Sequence, residues 1–163
     1  MKQSYNKRQS LKEALYNCYT NPSFEGRARR SEFWWNVLSF FIITVIIKNT
    51  EVFLADRNDV FSSILDFSLS IITLVMVYFQ IAITFRRLHD TGRSGWWQEY
   101  YIMKLSSGLA TPYIDYETAS LLSFINYTAF FVVIAGFCSM DSMKETNKYG
   151  KSPKYNLEKL ENI

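Results

Sequence analysis

Six arginines and three carboxylates are concentrated in two short segments that border apolar stretches. The first segment covers residues 24–35 (FEGRARRSEFWW) and the second covers residues 86–97 (RRLHDTGRSGWW). A guanidinium is planar and pairs bidentately with a carboxylate or a phosphate, so arginines in excess over acids can hold a phosphate. The two segments therefore predict a cluster that binds anionic headgroups or joins helices. Its members are Arg27, Arg29, Arg30, Glu32, Arg86, Arg87, His89, Asp90 and Arg93.

Ion pairs within this cluster are predicted from spacing. In a helix, Asp90 follows Arg86 by four residues and Arg87 by three, so either arginine can pair with it locally. We also expect one arginine to bridge Glu32 and Asp90 at the membrane edge. The candidates for that bridge are Arg30, Arg86, Arg87 and Arg93. The alternatives left open are a cluster that only fastens two spans together and one that also binds a lipid headgroup.

Catalysis would depend on His89, acting as a base oriented by Asp90. Adjacent residues on a helix point about 100° apart, which disfavours this pairing. One histidine without a nearby cysteine or second histidine is also a poor metal site. We predict no catalytic residue, no metal and no cofactor, and expect that the protein is not an enzyme.

Three apolar runs must position the cluster, and they predict transmembrane helices over residues 31–48, 65–85 and 118–140. The second and third runs hold 19 and 23 uncharged residues, and a bilayer core of about 30 Å needs roughly 20 helical residues. A helix of a soluble bundle would carry a charged face, which these runs lack. The sequence therefore predicts an all-α membrane protein with three transmembrane helices.

Further segments complete the predicted membrane protein. Residues 1–30 form a polar N-terminal segment in which Leu11 to Tyr19 is predicted as an amphipathic helix, and residues 94–110 as an interfacial or re-entrant helix. A membrane domain of residues 31–140 is then followed by a polar tail over 141–163. With 163 residues, 48% hydrophobic, and two cysteines in unlike settings, the chain is neither disordered nor a disulfide-stapled secreted domain.

Basic residues predict the orientation. Seven lysines and arginines precede the first span, whereas the loop to the second span holds only Arg57 beside Lys48. The positive-inside rule therefore predicts a multi-pass protein of a bacterial inner membrane with a cytoplasmic N-terminus. Five lysines after residue 141 also favour the cytoplasm, but three spans would place them outside, so the side of the tail stays open.

A polar stripe follows one face of the second span at spacings of three and four. Its members are Ser63, Asp66, Ser70, Thr73, Gln80 and Thr84. Polar groups facing lipid would lack hydrogen bonds, so the stripe is expected to face other spans or water. The expected packing partners are Asn36 and Ser39 of the first span and either Ser123 or Asn126 of the third. The alternative is a solute or ion path, for which a homo-oligomer is expected because three spans alone enclose little space.

With a third motif, Asn147 to Pro153, the two arginine segments resemble a family of small bacterial inner-membrane proteins typified by YhaH, a domain of unknown function. The resemblance covers the chain from Leu11 to Pro153 and implies an inner-membrane location, several spans and no agreed activity. The residues predict a small structural or regulatory membrane module that binds anionic lipid or a membrane partner protein. A permease using the stripe and a headgroup enzyme using His89 are the alternatives. Nucleic acid is not expected, because the basic residues lie beside Trp and the spans.

Overall fold

A computed structural model describes residues 9–20, 22–54, 57, 59–99 and 113–155. Every regular element in this part of the chain is helical, which confirms the predicted all-α class. Three of the described helices are long and apolar enough to cross a membrane. The elements in chain order are α1 (Leu11–Thr20), α2 (Arg30–Leu54), α3 (Val60–Asp90), a 3₁₀ turn (Gly95–Gln98), and α4 (Tyr116–Phe131), which continues as a π-helical turn (Val132–Phe137).

The spanning helices extend beyond the apolar runs at several of their ends. Helices α2 and α3 hold 25 and 31 residues, which at about 1.5 Å per residue exceeds a core of about 30 Å. The helix keeps its own backbone hydrogen bonds through the headgroup layer, so polarity does not end it. Helix α3 contains no glycine or proline. It ends at Asp90, two residues before Gly92, which adopts a positive φ of +77°.

The chain forms two compact units. The first comprises Met1–Lys7, Phe24–Arg30 and Thr84–Ile163, and the second comprises Arg8–Ser23 and Ser31–Ile83. In the second unit, α1 is docked on the start of α2: Asn36 Nδ2 donates to Cys18 Sγ at 2.9 Å, and the Tyr19 and Ser39 hydroxyls are 2.9 Å apart.

The first unit joins the ends of three segments. Residues 24–30, the last turns of α3 and the chain after Phe137 meet through hydrogen bonds such as Ala28 N to Arg86 O at 3.0 Å and Met143 N to Asp90 O at 3.0 Å. Trp97, in the 3₁₀ turn that follows α3, and Phe137, at the end of the π-helical turn, pack edge to face with ring centroids 5.1 Å apart. Helices α3 and α4 therefore end at the same side, and α4 begins far from it.

The predicted interfacial helix lies partly outside the described residues. Its described portion is the 3₁₀ turn Gly95–Gln98, capped by Ser94 Oγ, which accepts from Trp96 N. Gly95 allows this turn to approach α3 closely, because a Cβ there would lie 1.7 Å from Cδ1 of Phe85. Trp96 is 69% exposed, which suits an aromatic side chain at a membrane interface.

Candidate functional site

One buried carboxylate organises the first unit. Asp90 is fully buried, and its Oδ1 accepts from Arg27 Nε at 2.9 Å. Its Oδ2 accepts from Arg87 Nη1 and from Ser142 Oγ. We call Arg27, Arg87, Asp90 and Ser142 the Asp90 network. The network carries two guanidiniums and one carboxylate, so it keeps a net positive charge away from water.

Arg27 uses all of its donors within the protein. Besides Nε, its Nη1 donates to the carbonyls of Glu145 and Gly150 at 2.8 and 3.1 Å. Its Nη2 donates to the carbonyls of Met143 and Asp90 at 2.6 and 3.4 Å. An arginine has five N–H donors, and these five bonds occupy them. The bonds to Glu145, Gly150 and Met143 attach the tail to Arg27. Because the side chain is 1% exposed, Arg27 is not available to a lipid.

Arg87 plays the same part on the opposite side of Asp90. Its Nε donates to Cys138 O at 3.0 Å, its Nη1 to Ala28 O at 3.2 Å, and its Nη2 to Met140 O. One side chain therefore connects the end of α3 both to the segment before α2 and to the chain after α4. The ion pair of Arg87 with Asp90, three residues apart, forms as the spacing predicts.

His89 is held by two contacts that fix its ring. Its Nδ1 lies 3.1 Å from Gly26 O, and because a carbonyl accepts, Nδ1 carries the proton. The imidazole stacks on Tyr149 with ring centroids 3.6 Å apart and planes 6° apart. Asn147 Nδ2 donates to His89 O at 2.9 Å. Through these contacts His89 holds the tail against the end of α3.

A second carboxylate, Asp141, lies in the tail and forms ion pairs with two basic side chains, Arg30 and Lys154. Arg30 Nη2 is 3.2 Å from its Oδ1, and Lys154 Nζ is 2.6 Å from both carboxylate oxygens. Tyr155 donates its hydroxyl at 3.0 Å. Burial would raise the pKa of Asp141, but the hydrogen bonds from Lys154, Ser142 N and Tyr155 outweigh it and lower the pKa to about 2.

Arg29 and Arg93 also make contacts within the protein. Arg29 Nε donates to Pro153 O at 2.7 Å, and the Arg93 guanidinium lies 4.1 Å from the centroid of the Phe137 ring. Cys138, beside this ring, is fully buried. Its thiol is therefore shielded from solvent.

Arg86 differs from these five arginines. It is 5% exposed, yet its Nε and Nη2 are buried and have no hydrogen-bond partner in the part of the chain that the structure describes. Its main-chain carbonyl accepts from Ala28 N. Of the two local pairs that the spacing allows, the one between Arg87 and Asp90 forms, and the Asp90 carboxylate is shared by Arg27, Arg87 and Ser142.

The contacts of Glu32 and Asp90 differ from the predicted arginine bridge between these two carboxylates. Asp90 pairs with Arg87, one of the predicted bridging arginines. It also pairs with Arg27, which was not predicted, because residues 24–30 run beside the end of α3 and bring its guanidinium there. Glu32 belongs to the second unit, where its Oε1 accepts from Gln9 Nε2 at 3.1 Å and Asn17 Nδ2 at 3.2 Å.

The polar stripe of α3 divides into two halves. Gln80 and Thr84, near the end of the helix, are buried, whereas Ser63, Asp66 and Ser70 are exposed and Thr73 is half-buried. Ser63 donates to the carbonyl of Asp59, the residue before α3, and Thr73 donates to that of Leu69 within the helix. Of the expected packing partners, Asn36 and Ser39 bond with Cys18 and Tyr19 of α1, and Asn126 Nδ2 donates to Leu122 O of α4. Ser123, also expected to pack here, is exposed.

Sequence reasoning missed the contribution of the tail to this site. Ser142, Tyr149 and Asp141 each contact a cluster residue, but none was predicted as a member. The motif from Asn147 to Pro153 was the available signal, since its conformation includes a bridge between Asn147 and Gly150, with a φ of +120° at the glycine. Among the described residues no group of His, Cys, Asp and Glu could hold a metal ion.

The family described as "Protein of unknown function (DUF805)" matches residues 22–151. The chain belongs to the DUF805 family. It is 29% identical to the inner membrane protein YhaI of Escherichia coli K12 over 133 residues, which cover 81% of this chain and 86% of YhaI. It is 28% identical to the inner membrane protein YhaH of the same strain over 131 residues, 80% of this chain and 87% of YhaH. No solved structure matches the chain.

These matches confirm the resemblance inferred from the motifs. Together with the three apolar helices, they identify the DUF805 chain as an inner-membrane protein with several spans. The DUF805 match includes both arginine segments and all four residues of the Asp90 network. The family description assigns no activity, so the function has to be argued from the site.

Proposed function

We propose that this protein is a non-catalytic inner-membrane module that binds anionic lipid headgroups at the end where the Asp90 network lies, with that end and the N-terminus in the cytoplasm. The observation that carries the proposal is the charge collected there. Residues 24–30, 84–99 and 138–155 contain ten basic and five acidic residues, and hydrogen bonds join them in one unit.

The distribution of charge along α4 supports this orientation. Its first turn holds Glu117 after the N-cap Asp115, and residues 113–137 contain no lysine or arginine. The chain after Phe137 then supplies Lys144, Lys148, Lys151 and Lys154. Basic residues near span ends stay in the cytoplasm, and a basic surface beside anionic lipid gains about 1 kcal/mol per charge.

The geometry of His89 supports a role without catalysis. Its Nδ1 proton is directed to Gly26 O and its ring face is covered by Tyr149. The neighbouring carboxylate, Asp90, accepts from Arg27 and Arg87. A base oriented by Asp90, as a headgroup enzyme would need, is therefore not assembled among these residues.

The test is reconstitution of the purified full-length protein in lipid nanodiscs, followed by native mass spectrometry of the bound lipid. We expect phosphatidylglycerol to be retained over phosphatidylcholine, and the preference to weaken with salt because exposed charges are screened. A Lys144→Gln/Lys151→Gln variant should lose part of the preference. A Lys48→Gln/Arg57→Gln variant removes the same charge outside the three basic segments and should keep it.

A folded protein that retains no anionic lipid would contradict the proposal and favour a partner protein as the ligand of this surface. The outcome for the two double variants separates local recognition from net charge. Equal losses in both would mean that charge anywhere on the chain suffices, which is also contrary to a site at this end.

A second candidate function rests on the exposed half of the stripe. Ser63, Asp66 and Ser70 form one exposed face of α3, and a carboxylate that faces lipid is costly unless it meets water or another chain. In a homo-oligomer this face could line a solute path. Asp66→Asn would then alter ion flux in proteoliposomes with unchanged thermal stability, whereas lost stability without altered flux would indicate a packing contact.

A further inference from the structure

The guanidinium of Arg86 is buried without an anion. Its Nε and Nη2 are covered from solvent and have no acceptor among the described residues. A buried charge that lacks a partner is strongly destabilising, so the folded chain would gain free energy if an anion met these two atoms. The carboxylates of Asp90 and Asp141 already accept from other donors.

The two unpartnered atoms define the shape of the missing acceptor. The Nε–H and one Nη2–H of an arginine are parallel and lie on the same edge of the guanidinium plane. That edge bonds side-on to two oxygens of one tetrahedral or planar anion. Arg27 and Arg87, which pair with Asp90, use their donors on acceptors within the protein. Arg27, for example, donates from Nε to Asp90 Oδ1 and from Nη2 to Asp90 O.

The position of Arg86 near the end of α3 favours the depth of lipid phosphates. It precedes the last residue of α3 by four positions, about 6 Å along the helix axis. Phe85, its neighbour, contacts Trp96 with ring centroids 6.4 Å apart, and Trp96 is largely exposed. Tryptophan side chains settle at the headgroup level, so the acceptor nearest at hand in a bilayer is a phosphate oxygen.

We propose that the Nε and Nη2 edge of Arg86 is the phosphate-binding element of this protein and takes two phosphate oxygens of an anionic glycerophospholipid, whose headgroup, unlike that of phosphatidylcholine, carries no compensating cation. The inference rests on the proposed function, since it names the residue and the chemical group for lipid binding at this end. Because the edge is covered, binding requires a rotamer change of Arg86 or of a neighbouring side chain. Lipid binding and folding stability are therefore coupled at this residue.

The test compares the melting temperature of the wild type with those of Arg86→Leu and Arg86→Lys, with Arg57→Leu as the matched control. Each full-length protein is measured in phosphatidylcholine nanodiscs, in phosphatidylglycerol nanodiscs, and in phosphatidylcholine with added inorganic phosphate. Phosphatidylglycerol bound per protein is counted by native mass spectrometry. The third condition distinguishes a soluble phosphate from a lipid headgroup.

We expect phosphatidylglycerol, but not inorganic phosphate, to raise the melting temperature of the wild type and of Arg57→Leu. Arg86→Leu should be at least as stable as the wild type in phosphatidylcholine, gain nothing from phosphatidylglycerol, and bind it about tenfold more weakly or worse. Arg86→Lys keeps the charge but not the paired edge, so its gain should be smaller than that of the wild type.

Other outcomes overturn the inference in distinguishable ways. An Arg86→Leu protein that unfolds or melts lower in phosphatidylcholine would mean that Arg86 already has an acceptor, within the chain or in the phosphate of phosphatidylcholine, and does not select an anionic lipid. An Arg86→Leu protein that gains as much from phosphatidylglycerol as the wild type would leave the proposed function standing and remove Arg86 from it. A wild type without any phosphatidylglycerol preference would end both, and stabilisation by inorganic phosphate would replace the lipid with a soluble anion.

Discussion

Two guanidiniums share the carboxylate of Asp90, and each also donates to main-chain carbonyls far along the sequence. Arg27 reaches Glu145 O and Gly150 O, and Arg87 reaches Cys138 O and Ala28 O. Because the three charged side chains are shielded from water, each depends on the others for its hydrogen bonds. Removing one charge leaves its partners buried and unpaired, which costs more than the loss of an exposed pair.

Asp90→Asn is expected to destabilise the protein by about 3–5 kcal/mol, because two buried arginines lose their counter-charge. Glu51→Gln is the control, since Glu51 pairs with the exposed Lys48 three residues away and should cost about 1 kcal/mol or less. Unfolding of both variants in detergent, followed by tryptophan fluorescence, measures the difference. Similar small costs would show that the buried network contributes little.

Some of this site was predictable residue by residue, and some was not. The pair of Arg87 and Asp90 follows from helical spacing, because residues three apart lie on one face. The bonds of Arg27 could not be predicted, because main-chain carbonyls occur at every residue and their positions depend on how residues 141–150 fold. Arginine content therefore predicted a cluster but not which arginines the protein uses internally.

Contacts between elements depend on the small residue at the start of the 3₁₀ turn. A methyl group at Gly95 would lie 1.7 Å from Cδ1 of Phe85, so Gly95→Ala should cost about 1–3 kcal/mol. Gly136→Ala is the control, because nothing lies within 4 Å of a Cβ there. In thermal unfolding, the Phe85→Ala/Gly95→Ala double variant should cost less than the sum of the two single changes. Strict additivity would contradict the contact.

The packing of the tail is expected to depend on pH through Asp141. Its pKa is about 2, below the ordinary 3.8, so its contacts stabilise the folded state fully above about pH 4. As the pH falls from about 4 to 2, the unfolded state binds the proton first and this stability is lost. The contribution is at most about 1 kcal/mol, since the Asp141 side chain is 47% exposed.

Comparison of wild type and Asp141→Asn at pH 7 and pH 2 tests this dependence. The variant should be less stable than the wild type at pH 7 and nearly equal to it at pH 2, as judged by urea unfolding in detergent. Lys48→Gln, which lies outside the tail, should leave the pH dependence of the wild type unchanged. A difference that stays constant over this range would rule out titration of Asp141 as the cause.

Helix existence was easier to predict than helix length. Apolar runs indicated three spans, and each lies mostly within α2, α3 or α4 with its π-helical turn. The ends differ because hydropathy reports where a helix leaves the hydrocarbon, whereas the helix itself continues until capping or glycine ends it. Thus α2 continues past Lys48 to Leu54, and α3 begins at Val60 and not at residue 65.

At the scale of the whole molecule, the contacts of the tail bear on which side of the membrane it occupies. Counting three spans placed the tail opposite the basic N-terminal segment, but Arg27, Arg29 and Arg30 all bind residues after Phe137. The tail therefore packs against the segment that precedes α2, and we expect the two to lie on the same side of the membrane. Hydropathy could not reveal this, because the contacts that decide it join residues more than 100 positions apart.

Cysteine labelling tests this arrangement in cells. Lys144→Cys places an exposed thiol in the tail, and Arg57→Cys places one between α2 and α3; the native Cys18 and Cys138 are buried. With a membrane-impermeant maleimide, we expect Arg57→Cys to react in intact spheroplasts and Lys144→Cys to react only after the membrane is opened. Reaction of both from the same side would contradict the proposed topology.

The bonds of Arg27 and Arg87 also impose an order on biosynthesis. A ribosome delivers both arginines and Asp90 to the membrane well before it has made the carbonyls of residues 138–150 that they require. Until those residues emerge, the nascent chain carries cations that cannot yet be enclosed. The Asp90 network is therefore completed late in translation. A chain that ends before residue 138 would leave Arg27 and Arg87 without their main-chain acceptors, a state that a membrane quality-control protease could recognise.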